Sequence, residues 1–410
     1  MEPAIQFAVG LQGVVWFMLF AVGGVMLGTL SGLIPGLHAN NFALLLAAFA
    51  ASIPADPLLI GVAMLTAGVV HTFLDIVPAL ALGVPDAAMA IAALPGHRLV
   101  LAGRGREALR LSAVGSAMAV AIAVPLAFPI TWLMIHAYPT IRTHLWVVLG
   151  AIVCLLVITE STPQAAVGGL FGFVLAAILG WTTLEVTPDA PLGSGSMLTP
   201  LLTGLFGAPI LLDAMGGSGV PPQADAKLAM APKDLGRTAG AGSIAGAIVG
   251  YLPGVSAAIA SVLALPAVPS RDVDRGFIVA TSGANTANTV FALFALVALG
   301  TPRTGVMVAV DTTGVPLVVP VLLAAVVVGA ACGTLLVIAV GDRYLLTVGQ
   351  LNYTYVSLAV LAFLCTLAYG LTGWFGVGVF VVSTVVGLVP TRFGARRVHL
   401  MGVLIGPLMI

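Results

Sequence analysis

Charge is what this 410-residue sequence lacks most. Fifteen Lys and Arg with fifteen Asp and Glu supply only 7% of it, against 60% hydrophobic residues and a mean hydropathy of +1.16. So little polar surface cannot hold such a chain in water, and apolar runs of about 20 residues, each enough to cross a bilayer, recur along it. The charges cancel to zero, which leaves no electrostatic pull toward nucleic acid. Cysteine is nearly absent as well. Cys154, Cys332 and Cys365 all fall inside apolar stretches, which excludes a disulfide framework and paired-Cys metal sites and reads as small packing side chains. No HExxH, GxSxG or P-loop occurs, so no catalytic residue, resident metal or cofactor is assigned. The N-terminus also lacks the basic n-region of a cleavable leader, and its first apolar stretch reads as structure.

What the sequence does contain is itself, twice. GTLSGLIPGLHANNFA at 28–43 aligns with GAIVGYLPGVSAAIAS at 246–261, pairing Gly28 with Gly246, Gly32 with Gly250, Pro35 with Pro253 and Gly36 with Gly254. HTFLDIVPALALGVP from His71 aligns with NTVFALFALVALGTP from Asn288, pairing Thr72 with Thr289 and Pro85 with Pro302. TGLFGAPILL and MGVLIGPLMI close the two halves, matching Gly204 with Gly402 and Pro209 with Pro407. Duplicated apolar segments interrupted by Gly and Pro at matching places point to a secondary transporter and to its binding site.

The basic residues orient the halves. Arg98, Arg104, Arg106 and Arg110 crowd the loop at 95–110, whose counterpart holds Asp311 and no base. Arg271 and Arg275 stand opposite Asp56, and Arg392, Arg396 and Arg397 stand opposite Glu185 and Asp189. Equivalent loops therefore face opposite sides of a cytoplasmic membrane, and the repeats are inverted. The expected fold is an all-α polytopic membrane protein. Its first repeat covers 1–214, a cytoplasmic linker 215–237 and the inverted second repeat 238–410. Each repeat opens with a Pro/Gly-broken hairpin, 11–52 or 238–268, read as re-entrant, although each arm is nearly long enough to cross. The remaining crossings fall at 58–95, 109–134, 144–160, 164–182, 198–214, 276–312, 315–340, 352–371 and 375–390.

Non-helical backbone at membrane depth survives only where protein buries it or a watery cavity bathes it. The breaks at Pro35-Gly36, Pro85, Pro253-Gly254 and Pro302 are accordingly expected to converge, with helix N-termini offering N–H groups to an anion; the alternative is that Gly and Pro serve helix packing alone. His38, Asn40 and Asn41 follow the first break, and Ser256 is the equivalent of His38. Asn285, Asn288 and Thr289, within TSGANTANT, either coordinate a substrate or Na⁺ or bond across helices. Arg303 is either a carboxylate or phosphate partner or an interfacial side chain. His71 and Asp75, one helical turn apart, are expected with Thr289 to couple transport to H⁺ or Na⁺, a structural ion pair being the alternative. His97, His136, His144 and His399 adjoin loops and read as solvated.

SGLIPGLHANNFALLLAAF, ALGVPDAAMA and LPGHRLVLAGRGREALRLSAVGS, followed by TGLFGAPILL, GAIVGYLPGVSAAIAS and MGVLIGPLMI, resemble the large permease subunit of the tripartite tricarboxylate transporters over nearly the whole chain. HTFLDIVP and GVPDAA depart from that family's usual Gly-Gly-Ser and PGTP-like segments, and the shorter length resembles a divergent archaeal-like branch. The resemblance implies a multi-pass carrier importing organic anions by symport, with Pro35, Gly36, His38, Asn40, Pro85, Pro253, Gly254 and Pro302 forming its site. It also brings a small membrane subunit and an extracytoplasmic binding protein into question as partners, beside membrane lipid and a second copy of the chain. Two rival readings stay open: a carrier of polyprenyl-phosphate head groups, and a non-transporting scaffold.

Overall fold

The computed structural model describes residues 10–34, 37, 39–50, 52–82, 93–191, 197–215, 221–224, 227–269, 272–348 and 351–409. The first half runs through α1 (Leu11–Leu33), α2 (Ala39–Ala50), α3 (Pro57–Leu74), α4 (Ile76–Leu82), α5 (Ala93–Leu101), α6 (Gly105–Thr143), α7 (Leu145–Ile158) and α8 (Pro163–Thr183). It ends in α9 (Leu198–Leu202), a π-helical turn (Thr203–Gly207) and α10 (Ala208–Ala214). The second half holds α11 (Pro232–Tyr251), α12 (Ala257–Ala264), α13 (Val273–Leu299), α14 (Gly305–Thr312), α15 (Val319–Val348) and α16 (Tyr353–Gly387). α17 (Val389–Arg392), a 3₁₀ turn (Arg397–Met401) and α18 (Gly402–Met409) complete it. There is no strand among the described residues, and seven helices are long and apolar enough to cross a membrane. The chain is an all-α polytopic membrane protein.

Local chemistry accounts for the helix ends. Asp56 caps α3 by accepting from Leu58 N at 2.8 Å, with Pro57 as the first helical residue, where its missing N–H costs nothing. Thr162 and Pro163 open α8 in the same way, the Thr162 hydroxyl oxygen accepting from Ala165 N at 3.1 Å. The expected crossing at 109–134 extends to Thr143 in α6, straight through Pro125, Pro129 and Pro139. The expected pair 352–371 and 375–390 is α16, broken at Gly373, whose φ of 62° suits glycine and where a Cβ would come within 2.4 Å of Asp189 O. α11 starts at Pro232, six residues before the expected boundary of the second repeat. α2, with 12 residues, spans about 18 Å, and α12 is shorter still, so neither can cross an apolar core of about 30 Å.

The duplicated sequence builds a duplicated joint. Gly24, Gly28 and Gly32 lie on one face of α1, and a Cβ at the first two would stand 2.4 Å from Ala63 O and Ala67 O of α3. Gly242, Gly246 and Gly250 repeat the face on α11, and a Cβ at the first two would stand 2.4 and 2.7 Å from Ala280 O and Ala284 O of α13. In both halves backbone meets backbone, the close approach that small residues permit in membrane helices. Long helices are then exchanged: α6 of the first half packs on α11 and α13, and α15 of the second half packs on α1 and α3. This arrangement encloses α3 and α13. The span from Pro57 to Ala81 is 89% buried and α13 78%, against 22% for α1, so polar groups on the two central helices face protein.

Two ion clusters join loops that the charge pattern assigns to one side. In the first, Arg275 Nε donates to Glu107 at 2.8 Å, Arg104 pairs with Glu107 at 2.6 Å, Arg98 pairs with Asp274, and Gln223 of the linker accepts from Gly105 N at 2.6 Å. In the second, Glu160 meets Arg396 and His399, each at 2.9 Å. His399 is thus fully buried rather than solvated, because its ring lies against Gly169, where α8 leaves room for it. Cys154 is exposed on α7, while Cys332 and Cys365 are half-buried.

Candidate functional site

α3 and α13 are equivalent helices in the two halves, and they touch through polar side chains where the last turn of α3 and its C-cap Asp75 meet the middle of α13. Thr72 and Thr286 hydroxyls lie 3.2 Å apart, and Asn285 Nδ2 donates to Asp75 Oδ2 at 2.6 Å. Asp75 is 3% exposed and His71 0%. His71 is held by α1 and α2. The Ser31 hydroxyl donates to Gly28 O at 3.1 Å, leaving its oxygen to accept from His71 Nδ1–H at 2.9 Å, and Phe42 stacks on the ring at 6.2 Å. An ionisable pair buried this deeply inside an apolar bundle is expensive and calls for a function.

Directly in front of Asn285 lies a cavity of about 100 Å³. Thr72, Ser256, Asn285, Asn288, Thr289 and Arg303 supply its polar lining, and Gly68, Gly254 and Leu404 close it. Helix starts converge here: Ala39 opens α2, Ser256 caps α12 and Thr304 caps α14, and all three line the cavity. Each start brings the positive end of its helix dipole to the cavity lining. Gly254 makes the second of these starts possible. Its φ is +73°, and a Cβ would meet Leu408 Cδ1 at 2.4 Å, so the turn fits against α18 only as glycine. At the third, Gly300 ends α13 with a φ of +62°, and the chain returns so that Val306 packs against Gly68 of α3.

A second chamber of about 370 Å³ adjoins the first and shares Gly254, Arg303, Thr304 and Leu404 with it. Its other walls are Leu184, Leu198, Pro302, Gly305, Val308, Pro407 and Leu408. Arg303 stands at the junction. Its Nη2 donates to Tyr138 Oη and its guanidinium lies over the Tyr138 ring, 5.1 Å from the centroid. Its Nε is buried and has no hydrogen-bond partner among the described residues, and the same holds for Ser256 Oγ. Arg303 is the one charged residue among the described residues lining either chamber.

Of the residues singled out by sequence, Gly254, Ser256, Asn285, Asn288, Thr289 and Arg303 line the inner cavity and Pro302 the outer chamber. Pro253 sits in the turn before α12, outside both linings. His71 and Asp75 lie behind the wall, with Asn285 between Asp75 and the cavity. Asn40 and Asn41 belong to the first turn of α2, while Pro35, Gly36, His38 and Pro85 fall outside the described residues. Sequence reasoning overlooked Thr72, Thr304, Tyr138 and Leu404. Thr304 carried a readable signal, a capping residue before an apolar run. Tyr138 and Leu404 carried none, since they arrive from distant helices. No group of three or more metal-ligating side chains occurs among the described residues.

Comparison with known proteins adds three findings. The model of the Tripartite tricarboxylate transporter TctA family matches residues 18–402. An uncharacterized protein of Methanocaldococcus jannaschii, MJ1079, is 24% identical over 401 residues, covering 96% of this chain and 98% of that one. No solved structure matches.

Proposed function

The chain belongs to the tripartite tricarboxylate transporter TctA family, a family of membrane transporter permeases rather than enzymes, and from that premise we propose that it imports a small organic anion of the carboxylate class. Transport is coupled to H⁺ or Na⁺ and proceeds by alternating access. Permeases of this family work with a small membrane subunit and an extracytoplasmic binding protein, and this chain is read as working with such partners.

The observation that carries the reading is the inner cavity: three helix starts and one arginine converge on a polar chamber inside an apolar bundle. A carboxylate there accepts from Arg303 Nε, Ser256 Oγ and the backbone N–H groups at the start of α12. Charge-assisted bonds of this kind are short and strong. Asn288 and Thr289 supply further polar contacts, and with Thr72 they offer the oxygen atoms that a Na⁺ ion would need. Asp75 is the coupling group, oriented by Asn285 and neighboured by His71. In its ionised form it accepts from the Asn285 amide, so its protonation or its neutralisation by a cation is felt at the cavity wall through that amide. Broken, paired hairpins around a central site are the arrangement of an alternating-access carrier, and the matching glycine joints support a duplicated fold.

The test uses proteoliposomes and the Asp75→Asn variant. Ion-dependent uptake should vanish while ligand binding to the purified variant persists; wild-type ion dependence in the variant removes Asp75 from the coupling role.

A further inference from the structure

We infer that the substrate carries a single anionic group on an apolar body, with the anion at Arg303 and the body in the outer chamber. This rests on the reading of the Arg303 cavity as the substrate site, and it narrows that site's chemistry. Three observations carry it.

The first is charge. Arg303 is the lone cation among the described residues of both chambers, and Asp75, behind Asn285 in the wall, is an acid. One carboxylate is matched by Arg303 and the helix starts. A second or third would find no countercharge among the described lining residues, and an unpaired charge against an apolar wall is disfavoured. The second is size. The polar chamber, at about 100 Å³, is adequate for a carboxylate and little more, whereas the adjoining one measures about 370 Å³. An apolar cavity of about 150 Å³ is enough for benzene. The third is the chemistry of the larger wall: apart from Thr304 at the junction and Arg303 itself, its side chains, Leu184, Leu198, Val308, Pro407 and Leu408 among them, offer no hydrogen bond to a hydroxyl or a second carboxylate. Arg303 lies between the two environments, its buried Nε without a hydrogen-bond partner among the described residues, so an anion placed there directs the rest of its molecule toward those leucines and prolines.

Two sources supply this chemistry, a soluble monocarboxylate and a lipid phosphate, and one panel separates them. The purified full chain is titrated by thermal shift and calorimetry with acetate, isobutyrate, isovalerate, benzoate, phenylacetate, benzamide, succinate, citrate and a short-chain polyprenyl phosphate. Affinity should rise about fourfold for each methylene buried in the outer chamber. Benzamide, succinate and citrate should bind at least tenfold more weakly than phenylacetate. Val308→Phe should move the optimum to a smaller acid without changing the melting temperature of the unliganded protein by more than a few degrees. If that variant fails to fold, the wild-type series decides alone.

Citrate or succinate binding as tightly as phenylacetate overturns the inference and leaves the organic-anion permease standing. Stabilisation by polyprenyl phosphate and by no soluble acid supports the inferred chemistry and overturns the soluble-solute reading. Failure of every compound to bind overturns both.

Discussion

Replacing Glu160 by Gln perturbs a carboxylate in the turn between α7 and α8 whose side chain is 3% exposed and accepts from Arg396 N at 3.1 Å, Arg396 Nε at 2.9 Å and His399 Nε2 at 2.9 Å. Burial alone would push its pKa up, but the bonds from His399 and Arg396 outweigh burial and bring it from 4.5 down to about 2. At about 1.4 kcal/mol per tenfold change in proton affinity, a carboxyl held down at about 2 contributes on the order of 2–3 kcal/mol of stability once solvent screening is allowed for. The sign follows from the depressed value. The contribution is complete above pH 4.5, where the unfolded chain is ionised too, and it is lost as the pH falls toward about 2. Thermal unfolding of the detergent-purified wild type and Glu160→Gln variant from pH 7 to pH 2 measures it. The variant should be less stable at neutral pH, and the gap should narrow below about pH 4.5 and close near pH 2. A gap constant across this range would refute the electrostatic reasoning and assign the effect to packing around His399.

Gly246→Val places a Cβ 2.7 Å from Ala284 O and 2.8 Å from Ala287 Cβ, and it should destabilise the protein by about 1–3 kcal/mol or more. Gly240→Ala, in the same helix with nothing within 4 Å, should raise the melting temperature through helix propensity worth about 1 kcal/mol; equal losses in the two variants would remove the backbone joint as an explanation. Gly373→Ala meets both a φ of 62° and Asp189 O at 2.4 Å. It should cost about 1–2 kcal/mol and increase protease cleavage near residue 190, and an unchanged cleavage pattern would count against a fixed break in α16.

Legibility followed locality. Glycines four apart in an apolar run are a local signal of close helix packing, but nothing in the spacing names the partner helix, so the α1–α3 and α11–α13 joints became visible only in the structure. Polar residues confined to TSGANTANT, and Arg303 beside Pro302, marked half of the cavity: a polar side chain in an apolar segment has few alternatives to a polar neighbour. Tyr138 beneath Arg303, Leu404 in the cavity wall and Glu160 around His399 depend on helices separated by more than a hundred residues, and no periodicity encodes such meetings. α6 runs past the expected end at 134 to Thr143, straight through Pro125, Pro129 and Pro139, because membrane helices tolerate proline where neighbouring groups take over the freed backbone bonds.

The exchange of long helices bears on how such a site could open. If each half packed only on itself, the halves could rock apart as two bodies. Here α6 is committed to α11 and α13, and α15 to α1 and α3, so separating the halves would strip both central helices of their cover. The Asp75–Asn285 and Thr72–Thr286 contacts join those helices at the cavity wall and would break as well. The remaining walls are held differently. α12 and α14 have eight residues each and follow turns that rely on glycine at positive φ; Ala257 of α12 meets the inner cavity, and Gly305 and Val308 of α14 meet the outer chamber. α12 is as enclosed as the central helices, seven of its eight residues being buried, whereas α14 has five of eight buried. If the site opens by alternating access, the wall with least to break is α14 on its Gly300 turn, with Arg303 travelling on the mobile side and Asp75 and Asn285 remaining on the fixed α3–α13 core.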